Sequence, residues 1–394
     1  MTGNDLINPD TIKIFNALDN KARFVGGCVR DFVIGKEIND IDIATELAPQ
    51  DTIIKLKEVG IKTIPTGIKH GTVTAILNGK PYEITTLRKD VSCDGRHAQV
   101  EFTDSWEEDA ARRDFTINAM SMGIQGKLYD YFNGQDDIKN GIVRFVGEAD
   151  KRVSEDVLRI LRFFRFYAYY GTGKLDESSL KACSKMANKI PELSGERIQT
   201  EMMKLLGAKE PYMIINVMNE NKINEFLFEN KLNIEGLEVI QKVSSEPLMR
   251  LACLLSWFSI EELKKQANRW KLSNKDKNFL LSVILPKENI SNNDNILLQR
   301  RNIRFLGKDI YKSVILIEFA TGQLNENLMK EFIQVADSWD VPSFPVNGND
   351  IKNIGIHDGK QIGKVLEEAE NWWEEKEYKP ERGEILDYIS KNLR

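Results

Sequence analysis

The spacing of apolar and polar residues changes near residue 140, and this change is the main guide to the architecture. Before it, short segments alternate with a period of two, which is typical of half-buried β-strands. Residues 72–77 and 82–87 are two such segments, and the Asn78-Gly79 pair between them is a strong hairpin signal. From residue 151 onward, apolar residues recur with helical spacing to the end of the chain. The pattern predicts an α+β fold in which a strand-containing head precedes helical regions.

Four further segments matter for function. Residues 38–44 have the alternation of a strand, and residues 107–120 have helical spacing. Residues 155–170 are predicted to form one continuous helix, with Ser154 as its N-cap and acidic residues in its first turn. Residues 88–100 are polar and without a period, so they are predicted to form a mobile loop.

Two aspartates lie on the predicted strand 38–44. Asp40 and Asp42 are two residues apart, so their side chains point to the same face of a strand. Two carboxylates on one face raise each other's pKa unless a cation lies between them, and Mg²⁺ bound by carboxylates and substrate phosphates provides that cation. Glu83 is a candidate third carboxylate; an outward-facing Glu on a half-exposed strand explains it equally well. The alternative for the aspartates is a charged, exposed strand end.

A glycine pair precedes these aspartates and strengthens the phosphate interpretation. Gly26 and Gly27 allow backbone N–H groups to approach a phosphate closely, and the helix that starts there favours negative charge. Arg30 adds a guanidinium that can bind phosphate oxygens in a bidentate manner. Together with Asp40 and Asp42, the turn predicts a metal-dependent site for phosphoryl transfer.

A row of charged residues winds around the predicted helix 155–170. Asp156 and Arg159 are neighbours on it, while Arg162 and Arg165 point progressively elsewhere, since a step of three residues drifts by roughly 60°. A carboxylate beside a guanidinium presents an acceptor and donors that can read a base edge. The alternative is an ordinary salt bridge on a solvated face. The aromatic residues Phe163, Phe164, Phe166 and Tyr167 are predicted to pack in the core; base stacking is the alternative.

The consecutive residues Arg112, Arg113 and Asp114 form a second charged group. Two adjacent arginines repel each other, and a bound anion relieves that repulsion. The functional interpretation is therefore contact with a phosphate or ribose close to the metal site. The alternative is a charged helix turn.

Composition narrows the class of protein only modestly. The chain has 394 residues, an apolar content of 41% and a net charge of −5, so several domains with real cores are expected. The charge is uneven: residues 151–174 are basic and residues 367–384 are acidic, which leaves room for a polyanion contact near the site. Four dispersed cysteines and no run of 18 apolar residues predict a reduced protein of the cytoplasm without a membrane span.

These segments, taken together and in order, resemble the class II tRNA nucleotidyltransferases, or CCA-adding enzymes, of bacterial and mitochondrial type, in the polymerase β superfamily. The resemblance is dense from about residue 20 to 206 and thinner beyond. The resembling segments are GGCVRD (26–31), DID (40–42), PTGIKHGT (65–72), EITTLR (83–88), DGRHAQVEFT (94–103), RRDFTINAM (112–120), DYFNG (130–134), EDVLRILRFFRF (155–166), GERIQTEMMKLL (195–206) and SFPVNGNDIKNIGIHDGKQIGKVL (343–366).

The resemblance implies a role for each matching residue. Asp40 and Asp42 would bind two catalytic Mg²⁺ ions, and Asp156 with Arg159 would form the amino-acid template that pairs with CTP and then ATP. The implied nucleotide-binding set is Gly26, Gly27, Arg30, Arg112, Arg113, Asp114, Asp156, Arg159, Arg162 and Arg165. The loop around Asp94, Gly95, Arg96 and His97 would serve the switch from C to A, and the segment from Asp130 to Gly134 would be a hinge.

The resemblance also implies an architecture and a partner. A polymerase β-type head with a mixed sheet (1–140) would be followed by a neck that selects the nucleotide (141–206), a helical body (207–340) and a helical tail that binds tRNA (341–394). The substrates would be tRNA, CTP and ATP, and no protein partner is predicted.

Four alternatives share parts of this pattern. Poly(A) polymerases have the same head segments but usually a basic segment after the Asp-x-Asp, where this chain has PTGIKHGT. CC-adding enzymes have a shortened loop where this chain has residues 88–100. A non-catalytic RNA-binding protein would lack an acidic residue at 40 or 42, and a small-molecule nucleotidyltransferase would not need the long helical region. Sequential addition of C, C and A is therefore the predicted activity.

Overall fold

The structure is a computed structural model that describes residues 6–93, 98–285 and 295–392. It divides into two compact units. The first comprises Met1–Asn230 with Asn268–Lys271, and the second comprises Lys231–Ala267 with Leu272–Arg394. The predicted division into head, neck, body and tail is finer than these two units and stays a prediction.

The nine strands of the described residues all lie in the first unit. They are β1 (Ala22–Val25), β2 (Asp42–Thr45), β3 (Lys62–Gly67), β4 (Thr72–Leu77), β5 (Lys80–Thr86), β6 (Arg88–Cys93), β7 (Ala98–Phe102), β8 (Ser121–Met122) and β9 (Leu128–Tyr129). Seven of those described form one sheet in the order β3-β4-β5-β2-β1-β8-β9. The β2–β5 pair is parallel and the other neighbours are antiparallel, which confirms a mixed sheet.

The hairpin predicted at Asn78-Gly79 is confirmed. Strands β4 and β5 pair from Thr72↔Thr85 to Leu77↔Lys80 and leave a two-residue turn between them. Both turn residues have positive φ, 51° at Asn78 and 78° at Gly79. A two-residue turn of this kind matches the right-handed twist of the flanking strands.

The helices of the first unit cover the sheet and continue beyond it. They are α1 (Pro9–Ala17), α2 (Gly27–Ile34), α3 (Pro49–Glu58), α4 (Trp106–Ala111), α5 (Gly134–Lys139), α6 (Ala149–Glu155), α7 (Leu158–Tyr170), α8 (Glu177–Met186), α9 (Gly195–Leu206) and α10 (Pro211–Glu220). On one side of α7, the rings of Phe115, Phe145, Phe163 and Phe166 pack within 6.4 Å of one another in successive contacts. Phe163, Phe164, Phe166 and Tyr167 are buried, so the prediction that they form core is confirmed.

The chain beyond the first unit is helical in the described residues, as the periodicity predicts. The helices are α11 (Ile234–Val243), α12 (Pro247–Leu254), α13 (Ile260–Arg269), α14 (Asn274–Ile284), α15 (Ile296–Leu306), α16 (Lys308–Ala320), α17 (Glu326–Ser338), α18 (Gly348–Asn353), α19 (Gly359–Glu375) and α20 (Arg382–Asn392). Trp373 of α19 and Ile385 of α20 lie in one apolar cluster near the end of this series. No helix in the described ranges is long and apolar enough to span a membrane.

Two predicted helices are interrupted. The segment 107–120 is helical only to Ala111. Beyond this end, the Asp114 carboxylate accepts hydrogen bonds from Phe115 N (2.9 Å) and Asn118 Nδ2 (3.0 Å). Such local bonds compete with the helical ladder. A short 3₁₀ turn, Thr116–Asn118, follows.

The predicted helix 155–170 breaks at Asp156, which has extended backbone angles (φ −151°, ψ 108°) and ends α6. Its carboxylate accepts a hydrogen bond from the N–H of Leu158, the first residue of α7, at 3.0 Å, so Asp156 separates α6 from α7 instead of lying inside one continuous helix. Ser154 is not an N-cap; it lies in α6, and its hydroxyl donates to Lys151 O.

The segments 38–44 and 88–100 also differ from prediction. Strand β2 begins at Asp42, where the ladder with Glu83 begins, so Asp40 precedes the strand. The segment 88–100 is not an irregular loop throughout, because β6 and β7 pair antiparallel from Arg88↔Phe102 to Cys93↔Ala98. The implied loop residues Asp94, Gly95, Arg96 and His97 lie outside the described residues.

Candidate active site

Three carboxylates lie on or just before the neighbouring strands β2 and β5 in the interior of the sheet. In the parallel pairing of β2 and β5, Asp42 lies directly beside Glu83, so their side chains share one face. Asp40 is exposed and lies two residues before the strand. We call Asp40, Asp42 and Glu83 the carboxylate edge; the structure brings Glu83 to the position that a third carboxylate would need.

The electrostatics of Asp42 reflect these neighbours. Loss of solvation raises the pKa of the Asp42 carboxyl, the charges of Glu83 and Asp40 raise it further, and Arg113 opposes them. A divalent cation would relieve this repulsion, and hard oxygen ligands are the donors that Mg²⁺ prefers. The donor set therefore fits a divalent metal, although no group of three metal-binding side chains is already assembled in the described residues.

The glycine turn lies beside this edge. Gly26 has φ +73° and ψ −133°, a conformation restricted to glycine, and it is the N-cap of α2. A Cβ at Gly26 would lie 2.9 Å from Arg113 Nη1 and 4.0 Å from Asp42 Oδ2. The turn therefore places the start of α2, Arg113 and the Asp42 carboxylate around one point, which is the kind of setting that a phosphate site needs.

The repulsion between Arg112 and Arg113 is relieved from inside the protein. Asp109 of α4 is only 3% exposed. Its Oδ1 accepts a hydrogen bond from Arg112 Nε at 2.8 Å, and its Oδ2 accepts one from Arg113 Nη2 at 3.2 Å. Burial alone would raise the pKa of Asp109, but the two guanidinium groups outweigh it and the pKa is lowered. The anion expected from the sequence is thus partly supplied by the protein itself.

Asp114 connects this element to α7. Its Oδ2 accepts hydrogen bonds from Arg162 Nε (2.8 Å) and Nη2. Burial raises the pKa of Asp114, but Arg162 and the bond from Asn118 outweigh it, so the pKa is lowered. Asp114 and Arg162, both predicted as nucleotide-binding residues, are therefore bound to each other.

The implied template residues have separate supports. Asp156 accepts two hydrogen bonds from Arg197 Nη2 of α9, at 3.0 and 2.7 Å. Arg159 donates to Glu155 Oε2 at 2.6 Å and to the carbonyl oxygens of Arg152 (2.9 Å) and Arg112 (3.3 Å). The structure thus fixes both template side chains from neighbouring elements.

Arg165 completes the row predicted along α7. Its Nε donates to Glu201 Oε2 of α9 at 2.5 Å, and its guanidinium lies 4.4 Å from the ring centre of Phe166. Glu201 is 5% exposed and also lies 3.8 Å from Arg162 Nη1. Asp156, Arg162 and Arg165 are therefore held against α9, whereas the partners of Arg159 lie on other elements.

Arg30 has a different environment from the one that the phosphate interpretation requires. Arg30 is 7% exposed, and its Nη1 donates to Asn118 Oδ1 at 2.6 Å. Its Nε and Nη2 bind both oxygens of Asp31, and its guanidinium lies 4.2 Å from the ring centre of Tyr170. In this conformation the guanidinium links α2 to α7, and its contact with a triphosphate stays a prediction.

The implied hinge forms a tight turn. Asp130 accepts backbone hydrogen bonds from Phe132 (3.3 Å), Gly134 (2.9 Å) and Gln135 (2.9 Å). A Cβ at Gly134 would collide with the carbonyl of Thr116, so the close approach requires glycine there. Movement about this turn stays a prediction.

Sequence reasoning missed four supporting residues. The spacing from Asp109 to Arg113 and from Glu155 to Arg159 is i,i+4, which is a recognisable ion-pair signal. Arg197 and Glu201 are 41 and 36 residues from their partners, and nothing in the local pattern indicates those contacts.

The ion-paired residues around α7 form one set, which we call the arginine network. It contains seven arginines and five carboxylates, so it carries a net charge of +2. Its members are Arg112, Arg113, Arg152, Arg159, Arg162, Arg165, Arg197, Asp109, Asp114, Glu155, Asp156 and Glu201. The excess of positive charge adjoins the glycine turn through Arg113.

Comparison with known proteins gives matches along most of the chain. Residues 22–144 match a family model described as "Poly A polymerase head domain", and residues 174–231 match one described as "Probable RNA and SrmB- binding site of polymerase A". The "CCA tRNA nucleotidyltransferase 1, mitochondrial" of Mus musculus is 36% identical over 391 residues, covering 96% of this chain and 88% of its own. The "CCA-adding enzyme" of Streptococcus pyogenes is 32% identical, covering 89% and 88%.

Solved structures of CCA-adding enzymes have the same fold as this chain. The crystal structure of the Bacillus stearothermophilus CCA-adding enzyme in complex with CTP superposes with a TM-score of 0.75 at 29% identity, covering 94% of each chain. The Thermotoga maritima CCA-adding enzyme complexed with tRNA has the same fold, with a TM-score of 0.73 at 22% identity, covering 98% of this chain and 97% of its own.

Proposed function

Because the chain belongs to the CCA-adding family of tRNA nucleotidyltransferases, we propose that it adds C, C and A in order to the 3′ end of tRNA. The substrates are CTP and ATP, and pyrophosphate is the product. The observation that carries the proposal is the meeting of the carboxylate edge, the glycine turn and the arginine network around Gly26.

The reaction forms one bond and breaks one. The tRNA 3′-hydroxyl oxygen attacks the α-phosphorus in line, the hydroxyl proton is released, and the bond to pyrophosphate breaks. Asp40 and Asp42, with Glu83 beside them, would hold up to two Mg²⁺ ions, whose chemistry is to stabilise the attacking and leaving oxygens. The backbone at the start of α2 and Arg113 would bind the triphosphate, which the +2 charge of the arginine network attracts.

Base selection would rest on Asp156 and Arg159. A carboxylate can accept a hydrogen bond from the cytosine N4 amine, and a guanidinium can donate to base acceptors. Arg197 and Glu155 support these two side chains, which reduces the entropy lost when a base binds. Arg162 and Arg165 would complete the pocket, and the turn at Asp130–Gly134 and the segment 94–97 would permit the change from C to A addition.

The helical region beyond residue 206 would bind tRNA. Its support is the solved relative complexed with tRNA, which covers 98% of this chain with the same fold. A location in the cytoplasm stays a prediction, since some matched relatives are named mitochondrial.

The decisive experiment uses tRNA transcripts that end before C-C-A, before C-A or before A. Purified protein and Mg²⁺ are incubated with labelled CTP, ATP or both, and the products are resolved at single-nucleotide length. We expect growth to C-C-A followed by a stop, with no reaction after chelation of the metal. Long A tails would indicate a poly(A) polymerase, the activity named by the matching head model; a halt at C-C would indicate a CC-adding enzyme.

A second experiment tests the template. Arg159→Ala is expected to reduce discrimination between CTP and ATP by about tenfold, since a good base contact contributes about 1–3 kcal/mol. Total incorporation should fall less. The measurement is kcat/KM for each nucleotide on a transcript that requires C and on one that requires A, and unchanged selectivity would contradict base reading by this residue.

A further inference from the structure

Asp109 is a buried carboxylate that touches neither the carboxylate edge nor α7. It lies on α4, and its two oxygens are divided between Arg112 and Arg113. Oδ1 also accepts a hydrogen bond from the backbone N–H of Arg88, at 3.4 Å. One carboxylate thus links α4, the first residue of β6 and the arginine pair.

The contacts of Asp109 orient Arg113 in one direction. Asp109 binds Nη2 of Arg113, and Nη1 of the same guanidinium lies against Gly26, 2.9 Å from the position of a Cβ there. Asp42 Oδ2 lies 4.0 Å from that same position. Because a guanidinium is planar and rigid, fixing Nη2 also fixes where Nη1 points.

Asp109 has more cationic partners than its own charge requires. A buried carboxylate needs one cation to compensate its charge, and Asp109 has two, with Arg112 bound at 2.8 Å. Arg112 alone would satisfy the charge of Asp109. The second contact, at 3.2 Å, adds a constraint on Arg113, the member of the pair that faces the glycine turn.

We propose that Asp109 is a positioning residue for nucleotide binding: it holds Arg113 so that Nη1 faces the phosphate-binding turn at Gly26 and Gly27. The inference rests on the proposed function, in which Arg113 contacts the incoming nucleotide. It goes beyond that function by assigning the orientation of Arg113 to a carboxylate that does not itself touch substrate.

The test compares Asp109→Asn with Glu107→Gln in the full-length protein. Both remove one negative charge from α4, but Glu107 is exposed. An asparagine replaces one of the two acceptor oxygens with an NH₂ group, so one arginine loses its acceptor and faces a donor instead. The readouts are the Kd of CTP and of ATP with Mg²⁺, the KM and kcat of incorporation, and thermal unfolding.

We expect Asp109→Asn to raise Kd and KM for both nucleotides about tenfold, the equivalent of one charge-assisted hydrogen bond, with a smaller change in kcat. Glu107→Gln should change them less than about twofold. Asp109→Glu, which keeps the charge and both acceptors, should recover part of the affinity. A folded Asp109→Asn protein with the affinity of the wild type would overturn the proposal.

A double-mutant cycle separates positioning from general stability. In the Arg113→Ala background, Asp109→Asn should have no further effect on Kd, because the residue it positions is gone. An equal tenfold effect in both backgrounds would overturn the proposal. If Asp109→Asn does not fold, Asp109→Glu replaces it in the same cycle: it recovers only part of the affinity, and the part still lost should also disappear in the Arg113→Ala background.

Failure of the proposed function gives a different result. If Arg113→Ala binds CTP and ATP as the wild type does, the role of Arg113 is wrong and the positioning role of Asp109 is overturned with it. If the wild type binds both nucleotides but does not build C-C-A on tRNA, the proposed function fails, and the binding measurements alone still support or overturn the role of Asp109.

Discussion

The carboxylate edge and the arginine network lie next to each other in the first unit, yet their charges are compensated in opposite ways. Every predicted arginine from Arg112 to Arg165 has a carboxylate partner within the protein. The side chains of Asp40, Asp42 and Glu83 have no such partner among the described residues, and loss of solvation together with the like charges of Glu83 and Asp40 raises the pKa of Asp42.

The difference indicates which part of the site is complete before substrate arrives. Buried charges are stable only when they are paired and hydrogen-bonded. The arginine network meets that condition, so it can be rigid without a ligand. The carboxylate edge is exposed and repulsive, and it would become compensated only when cations bind. We therefore expect substitutions in the two regions to affect stability and activity in different proportions.

The largest expected effect is at the carboxylate edge. Asp40→Ala and Asp42→Ala should each reduce incorporation of both CTP and ATP by at least about a thousandfold, because several kcal/mol of transition-state stabilisation by metals would be lost. The free energy of unfolding should stay the same or rise slightly, since a repulsive charge is removed. Incorporation assays, urea unfolding and tRNA binding measure this, with the exposed Glu37→Gln as the control.

If either variant stayed active, the metal-binding assignment would be wrong. If either one unfolded more easily by more than about 1 kcal/mol, the carboxylate edge would be a structural element, and the contrast with the arginine network would disappear.

The arginine network should respond through stability. Asp114→Asn leaves Arg162 without its closest partner in a largely buried site, which is expected to cost about 3 kcal/mol of unfolding free energy. The exposed pair of Lys185 and Asp150 is the matched control, and Asp150→Asn should cost less than about 1 kcal/mol. Equal losses in the two variants, measured by urea unfolding, would show that burial does not strengthen the network.

Two glycines at the ends of α2 test the point where the regions meet. Gly26 (φ +73°) and Gly35 (φ +77°) both have conformations that strain an alanine. A Cβ at Gly26 would meet Arg113 and Asp42, whereas nothing lies within 4 Å of one at Gly35. Each alanine variant should therefore lose stability, by about 1–2 kcal/mol.

Only Gly26→Ala should also lose activity, by about tenfold or more, because it displaces Arg113 from the turn. Incorporation assays and thermal unfolding of both variants measure this. A loss of activity in Gly35→Ala of the same size would mean that strain in α2, and not the position of Arg113, controls the site.

The parts of the molecule that the sequence predicts are those determined by neighbours in the chain. The β4–β5 hairpin follows from alternation and the Asn78-Gly79 pair, and the helical region follows from spacing alone. The place of Glu83 beside Asp42 needed the order of strands, which alternation does not determine. The family resemblance, in turn, implied a larger set of site residues than spacing did.

The helix break at Asp156 shows why the rest was not predictable. An acidic residue near a helix start is equally compatible with the first turn of a helix and with a cap before it. The contact that holds Asp156 in place comes from Arg197, 41 residues away on another helix. Long-range ion pairs of this kind leave no periodic signal. The resemblance therefore predicts these side chains as nucleotide ligands, whereas the structure shows them in ion pairs with one another.

The smallest expected effect is the pH dependence of the unfolding free energy, which isolates the contribution of the pair of Asp114 and Arg162. The pKa of Asp114 is lowered in the folded protein below its usual value of 3.8, so this carboxylate contributes stability at neutral pH. That contribution is lost as the pH falls from the usual value through the folded one, because the unfolded chain binds the proton first. The difference in unfolding free energy between the wild type and Asp114→Asn should therefore be constant from pH 7 to about 5 and shrink towards pH 3. Urea unfolding across this range measures it, and Asp150→Asn, in an exposed pair, should show a smaller change. A difference that grows in acid would mean that Asp114 is more easily protonated in the folded state, and the pairing with Arg162 would then not be what stabilises it.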